Sequence, residues 1–125
     1  MTNKLKIIIA GSGGFIGSNL IRHILKSSNN YTVVGIDRCD HPNVLNTIYS
    51  NKGAEFHIAD ATDEHILKTI FTLEQPDIVV YAINSSNKTT NISSASNLIN
   101  NAKDHKSRFI LLGDYEVYQD ESNTK

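Results

Sequence analysis

The chain has 125 residues, enough for one domain, and its formal net charge of −1 gives no electrostatic reason to expect nucleic acid or anionic lipid as a partner. Its hydrophobic fraction of 39% belongs to a globular protein, and no apolar run approaches the roughly 20 residues of a membrane helix. A single cysteine, Cys39, excludes an internal disulfide and suits a reducing compartment, so we expect a cytoplasmic protein.

Five short apolar runs predict the strands of a sheet. Most are rich in isoleucine and valine and do not alternate cleanly between apolar and polar residues, which is typical of parallel strands that are buried on both faces. The predicted strands are Leu5–Ala10, Thr32–Asp37, Glu55–Ala59, Ile78–Ala82 and Phe109–Leu112.

Two segments with helical spacing are predicted in the first half of the chain. The first helix begins at Phe15 and continues to about Ser27, and a weaker second helix begins near Pro42, a favourable residue for a first turn. The side chains predicted to face the core are Leu20, Ile21, Ile24 and Leu25 in the first helix and Val44, Leu45, Ile48 and Tyr49 in the second.

Two further helices are predicted in the second half. The third follows Thr62 or Asp63 as N-cap and must end before Pro76, and the fourth covers about Asn91–Lys103. The side chains predicted to be buried are Ile66, Leu67, Ile70 and Phe71 in the third helix and Ile92, Ala95, Leu98, Ile99 and Ala102 in the fourth.

Strand and helix therefore alternate along the chain. Because connections between parallel strands are right-handed, this alternation predicts a doubly wound α/β sheet of the Rossmann type, with five strands in the order 3-2-1-4-5. No internal repeat or linker is present, so residues 1–125 are predicted to form one domain.

The turn between the first strand and the first helix has the spacing G-x-x-G-x-x-G. Gly11 permits the tight turn, Gly14 lets a pyrophosphate approach the backbone, and Gly17 lets the helix pack closely on the sheet. The helix begins at Phe15 and Ile16, and the positive end of its dipole faces the phosphates. A turn that only reverses the chain does not require three glycines at this period, and a P-loop needs a Lys-Ser/Thr pair that is absent here. The spacing predicts a dinucleotide-binding loop.

A carboxylate ends the second strand, twenty residues beyond the last glycine of the loop. In the dinucleotide fold, Asp37 is placed to accept hydrogen bonds from the adenosine ribose hydroxyls. At about 4 Å and an effective dielectric near 20 it would repel a 2′-phosphate by about 4 kcal/mol per charge pair, which predicts NAD rather than NADP. Arg38 keeps NADP open, because a guanidinium can bind that phosphate.

These motifs resemble the extended short-chain dehydrogenase/reductase family, the NAD-dependent epimerases and dehydratases of nucleotide sugars. The resemblance implies that Asp60 and Ala61 lie beside the adenine and that Ala82, after the fourth strand, belongs to the cofactor site. It also implies a sugar substrate and a further substrate-binding region. The similar segments are Ala10–Gly17, Val33–Asp37, Asp60–Asp63, Gln75–Val80, Asn91–Ile99, Arg108–Leu112 and Val117-Tyr118.

The chain departs from the family in its catalytic residues. The family's Tyr-x-x-x-Lys pair is absent, since no tyrosine here is followed four positions later by lysine. The family's catalytic Ser or Thr aligns with Asp114, and Tyr115 and Tyr118 have no lysine placed to tune them. We therefore predict no catalytic residue, a missing substrate-binding region, and no activity of this chain alone.

Metal binding is not predicted either. His57 and His65 are near Asp60 and Asp63 in sequence, but no zinc-type spacing is present. The favoured interpretation is an NAD-binding domain. The alternatives left open are a stand-alone protein that senses NAD or scaffolds a partner, and a fragment of an NADP-using reductase. An exposed edge at the fifth strand would also favour a homodimer.

Overall fold

The computed structural model describes residues 4–27, 30–38, 53–83 and 87–112. The predicted helix near Pro42, Cys39, Asp114, Tyr115 and Tyr118 lie outside the described residues. The elements are β1 (Leu5–Ala10), α1 (Phe15–Ser27), β2 (Tyr31–Asp37), β3 (Ala54–Ile58), α2 (Glu64–Glu74), β4 (Ile78–Tyr81), α3 (Lys88–Asp104) and β5 (Arg108–Leu111).

The strands form one parallel sheet in the order β3-β2-β1-β4-β5, which confirms the predicted doubly wound fold. The central strand β1 pairs with β2 on one side and β4 on the other, so that Ile8 lies opposite both Val34 and Val79. All three side chains are fully buried. The apolar run Ile7–Ala10 of β1 is therefore explained by helices that cover both faces of the sheet.

Two hydrophobic clusters form the core, one on each face. On one face, α2 and α3 bury the fully enclosed Phe71, Leu67 and Leu98 against the sheet. On the other face, α1 contributes Ile21, which packs with Ile9. Burying one such side chain contributes roughly 1.5–3 kcal/mol to folding.

Three predicted core side chains are exposed instead. Ile66 in α2 is 38% exposed, and Ile92 and Ile99 in α3 are 66% and 41% exposed. Each lies outside the buried stripe of its helix, so it points to solvent. In α3 the stripe buries Ser94 and Asn97 as well as apolar side chains.

The strand ends differ from the prediction by one residue in places. Both β3 and β5 begin and end one residue earlier than predicted, β2 begins at Tyr31, and β4 ends at Tyr81. Pairing decides these limits, because Ala54 is opposite Val33 and the first residue of β5 is opposite Ile78. Within the described part of the chain, no helix is both long and apolar enough to cross a membrane.

Side-chain caps begin the two helices that follow β3 and β4. Asp63, one of the two predicted caps, accepts a hydrogen bond from the amide of Ile66 at 3.2 Å. The side chain of Asn87 accepts one from the amide of Thr90 at 3.1 Å, so α3 begins at Lys88, earlier than predicted.

Candidate functional site

A cavity of about 380 Å³ lies at the carboxyl ends of β1 to β4. In doubly wound sheets this edge is where ligands bind. Nine of the ten residues predicted for a cofactor site line the cavity: Gly11, Gly14, Phe15, Ile16, Asp37, Arg38, Asp60, Ala61 and Ala82.

Gly11 makes the tight turn out of β1. Its φ is +90°, and its amide donates to the Ile36 carbonyl at 2.8 Å. A Cβ atom at Gly11 would lie 2.5 Å from the carbonyl oxygen of Ala82. Both the backbone angle and the close approach of the segment after β4 therefore require glycine here.

Gly17 meets the backbone of the loop that leaves β1. It does not line the cavity, and a Cβ atom on it would overlap the carbonyl oxygen of Gly11. At Gly17 the first turns of α1 therefore pack closely on the backbone of the loop. A side chain at position 17 would collide with the loop that leaves β1.

The protein itself does not require glycine at position 14. A Cβ atom on Gly14 would make only ordinary contact, 3.5 Å from the carbonyl oxygen of Gly11, and the residue is exposed on the cavity wall. Its carbonyl accepts the first helical hydrogen bond of α1, from Ser18 at 2.9 Å. The amides of Phe15 and Ile16 thus belong to the helix end that carries partial positive charge. A cradle that a methyl group would fill fits a phosphate group approaching the backbone.

The carboxylate of Asp37 is attached to the loop. Its Oδ2 accepts a hydrogen bond from the amide of Gly13 at 2.8 Å, and its own carbonyl accepts one from Ala59 at 2.9 Å. Asp37 therefore joins the loop after β1 to the end of β3 and is held at the cavity wall. The neighbouring Arg38 is exposed and also lines the cavity.

Asp60 is folded into a turn at the start of the segment before α2. Its Oδ1 accepts hydrogen bonds from the Thr62 amide at 2.9 Å and the Thr62 hydroxyl at 2.8 Å. These two hydrogen bonds, the amide first, lower the pKa of Asp60 despite partial burial, and the charge of Arg38 adds to the effect. The wall next to Asp37 therefore carries a second carboxylate, and its low pKa keeps Asp60 ionised.

The remaining wall comes from β4 and α3. The amide of Ala82 donates to the Ala10 carbonyl at 2.8 Å, which extends the β1–β4 pairing to the cavity. The hydroxyl of Tyr81 donates to the Asn91 carbonyl at 3.1 Å, and burial raises the pKa of Tyr81, so the phenol stays protonated. This contact holds the first turns of α3 against the end of β4.

Five cavity residues were missed by sequence reasoning: Ile36, Ala59, Ile83, Thr90 and Ser94. Three of them are adjacent in sequence to predicted site residues. Thr90 and Ser94 are four residues apart on α3, so both hydroxyl-bearing side chains lie on one helix face. That spacing was visible in the sequence, but it did not indicate which face of α3 meets the cavity.

His57 lies in a different cluster from the one considered from the sequence. A ring nitrogen of His57 and carboxylate oxygens of Glu55 and Glu74 all lie within 4.8 Å of one another. Asp60 and Asp63 do not belong to this cluster. The side chain of Glu74 is 5% exposed and accepts hydrogen bonds from His57 at 2.8 Å and from Lys6 at 3.0 Å. This arrangement is that of a buried carboxylate satisfied within the protein.

Comparison with known proteins places these features in a family. The sequence model of the NAD-dependent epimerase/dehydratase family matches residues 7–123. dTDP-D-glucose 4,6-dehydratase of Dictyostelium discoideum is 30% identical over 128 aligned residues, which cover 90% of this chain and 30% of that protein. This chain therefore spans less than a third of the length of such curated relatives.

Solved structures show the same fold. The UDP-Glc/GlcNAc 4-epimerase of Campylobacter jejuni matches with a TM-score of 0.75 and 22% identity, over 86% of this chain and 36% of that one. The Bordetella bronchiseptica enzyme WbmH, solved in complex with NAD+, matches with a TM-score of 0.70 and 25% identity, over 86% of this chain and 38% of that one.

Proposed function

Because this chain belongs to the NAD-dependent epimerase/dehydratase family, we propose that it is the cofactor-binding part of a nucleotide-sugar epimerase or dehydratase and binds NAD in the cavity at the carboxyl edge of the sheet. The observation that carries the proposal is Gly14. The fold leaves room for a side chain there, yet the residue is glycine. It lies on the cavity wall, at the amino-terminal end of α1.

The dinucleotide would lie along the edge from β1 to β3. Its pyrophosphate would meet the loop at Gly14 and the first amides of α1, where the helix dipole favours negative charge. The hydroxyls of the adenosine ribose would donate hydrogen bonds to the carboxylate of Asp37, which the Gly13 amide already orients. The base would then lie beside Asp60 and Ala61, at the end of β3.

Bound NAD would supply hydride transfer to and from a sugar carbon. The residues of this chain bind and orient the dinucleotide. Its sequence contains no tyrosine followed four positions later by lysine, so we propose that the 125-residue chain binds cofactor without catalysing the sugar reaction. The single cysteine supports a cytoplasmic location.

Selectivity for NAD would come from two carboxylates. A 2′-phosphate on the ribose would approach Asp37, with the ionised Asp60 on the neighbouring wall. Arg38 opposes this effect, because its exposed guanidinium is attracted to Asp60 and could reach a phosphate instead. NADP therefore remains the second candidate cofactor, carried by Arg38 alone.

Calorimetric titration with NAD and with NADP tests the proposal. We expect saturable binding with NAD clearly tighter. Replacing Asp37 by Asn should reduce the difference in affinity between NAD and NADP, because it weakens NAD binding and removes the repulsion of the 2′-phosphate. Arg38→Gln should leave NAD binding nearly unchanged. Equal or tighter NADP binding that Arg38→Gln abolishes would favour the NADP alternative. A folded chain that binds neither cofactor would contradict the proposed function.

We further propose that copies of the chain associate along β5. Among the described residues β5 is an edge strand, and Ile110 and Leu111 are 41% and 45% exposed. On the α1 face, Ile110 and Leu112 also line an apolar cavity of about 420 Å³ with Ile78 and Val80. Exposed apolar edges favour pairing with a second chain.

A further inference from the structure

The order of the strands in the sheet determines where the base of a bound dinucleotide would lie. The pyrophosphate belongs at the loop after β1 and the ribose at the end of β2, so the next group outward meets the end of β3. There the cavity is lined by Ala59, Asp60 and Ala61, which we call the base wall. Two small apolar side chains beside one carboxylate suit a flat ring with polar edges.

The base wall has no regular secondary structure of its own and is held by hydrogen bonds to neighbouring segments, one of them from the Ala59 amide to the Asp37 carbonyl at 2.9 Å. Within the wall, Asp60 accepts the two hydrogen bonds from Thr62. From outside, the Nδ2 of Asn97 in α3 donates to the carbonyl of Ala61 at 3.0 Å, across 36 residues of sequence. Asn97 is only 8% exposed and Ala61 only 5%, so this hydrogen bond is sheltered from water.

We infer that Asn97 is a positioning residue for the adenine-side wall of the cofactor site, an inference that rests on the proposed function. Asn97 does not line the cavity, but Ser94 and Thr90 of the same helix do. One helix therefore forms part of the cavity wall and also holds the opposite part, through the Ala61 carbonyl. Without the Asn97 donor, that buried carbonyl loses its partner and the base wall must be ordered when the ligand binds.

Fragments of the cofactor separate this role from general support of the fold. AMP probes the base wall, inorganic pyrophosphate probes the glycine loop, and NAD probes both. For Asn97→Ala we expect the Kd of AMP and of NAD to rise by the same factor, about five- to tenfold, and the Kd of pyrophosphate to change less than twofold. Asn97→Asp keeps the size of the side chain, places an acceptor against the Ala61 carbonyl, and should weaken AMP at least as much.

Asn101→Ala is the matched control. Asn101 is also in α3, one turn further on. Its side chain donates to the backbone carbonyl of Asn97 at 2.8 Å and does not line the cavity. It should lose stability without a change in the AMP Kd. Unchanged AMP and NAD binding in a folded Asn97 variant would overturn the inference, as would equal weakening of AMP and pyrophosphate. A wild-type chain that binds no NAD would instead overturn the proposed function.

Discussion

The glycines of the loop after β1 are required for different physical reasons. Gly11 has a positive φ and meets the backbone after β4, and Gly17 meets the backbone of Gly11. Both requirements come from the protein. Gly14 makes no such contacts, and we propose that the glycine there serves a molecule that approaches the loop. Substitution separates the two kinds of requirement.

Replacing Gly14 by Ala should leave the free energy of unfolding within about 0.5 kcal/mol of wild type, because the added methyl group meets only ordinary contacts. The same change should weaken NAD binding tenfold or more, since the methyl group occupies the approach of the pyrophosphate. Urea denaturation and calorimetry measure the two quantities on the same sample.

Two alanine variants serve as controls for Gly14. Gly17→Ala should destabilise the fold by about 1–3 kcal/mol through overpacking against Gly11. Gly53→Ala has open space but a φ of +83°, so it should lose about 1 kcal/mol with NAD binding intact. A Gly14 variant that binds NAD as tightly as wild type would remove the main support for the proposed phosphate position.

At the scale of elements, a buried carboxylate connects α2 to two strands. Glu74, the last residue of α2, accepts from Lys6 in β1 and from His57 in β3. Burial raises the pKa of Glu74, but the hydrogen bonds and electrostatic attraction of His57 and Lys6 outweigh it, so the pKa lies below its usual value. Such a group stabilises the folded state above its unfolded pKa and loses that effect as the pH falls through its lower folded pKa.

Glu74→Gln should therefore lower the free energy of unfolding at pH 7 by about 1–3 kcal/mol, because it leaves Lys6 and His57 without their anionic partner. The difference from wild type should stay constant down to about pH 4.5 and shrink below it, as the wild-type carboxyl takes up its proton. Denaturation curves at pH 7, 5 and 3.5 measure this. Glu64→Gln, at the exposed start of the same helix, should show a much smaller difference. A Glu74→Gln difference that persists unchanged at pH 3.5 would contradict the assignment.

At the scale of the whole molecule, the described sheet has unequal cover. On one face α2 and α3 pack across the sheet, whereas on the other face α1 leaves apolar side chains of β4 and β5 around an open cavity. The edge at β5 belongs to this less covered part. The proposed self-association follows from that difference in cover.

Ile110→Lys should shift the chain toward the monomer, because a charge at the edge opposes pairing with a second copy. Analytical ultracentrifugation over a hundredfold range of concentration measures the change. Leu73→Lys is the control, since Leu73 is 69% exposed on α2, which packs on the sheet face opposite α1, and it should leave the association unchanged. A wild-type chain that stays monomeric throughout the range would contradict the association.

The sequence by itself determined the order of the elements that the structure describes, the doubly wound topology and the glycine loop. Each depends on local signals: apolar runs of strand length, helical spacing, and glycines between one strand and one helix. Those signals act over a few residues, so Leu5–Ala10 and the first helix were predicted at their observed limits. The position of Asp37 as the last residue of the second strand was predicted in the same way.

Only the tertiary structure decided which helix faces are buried and which distant residues meet. The stripe of α3 includes Ser94 and Asn97, while Ile92 points to solvent, because the helix is oriented by its contacts with α2 and the sheet rather than by its own hydrophobicity. The hydrogen bond from Asn97 to Ala61 joins segments far apart in sequence, and no local pattern encodes such a pair. Packing of the whole core is the physical cause that brings them together.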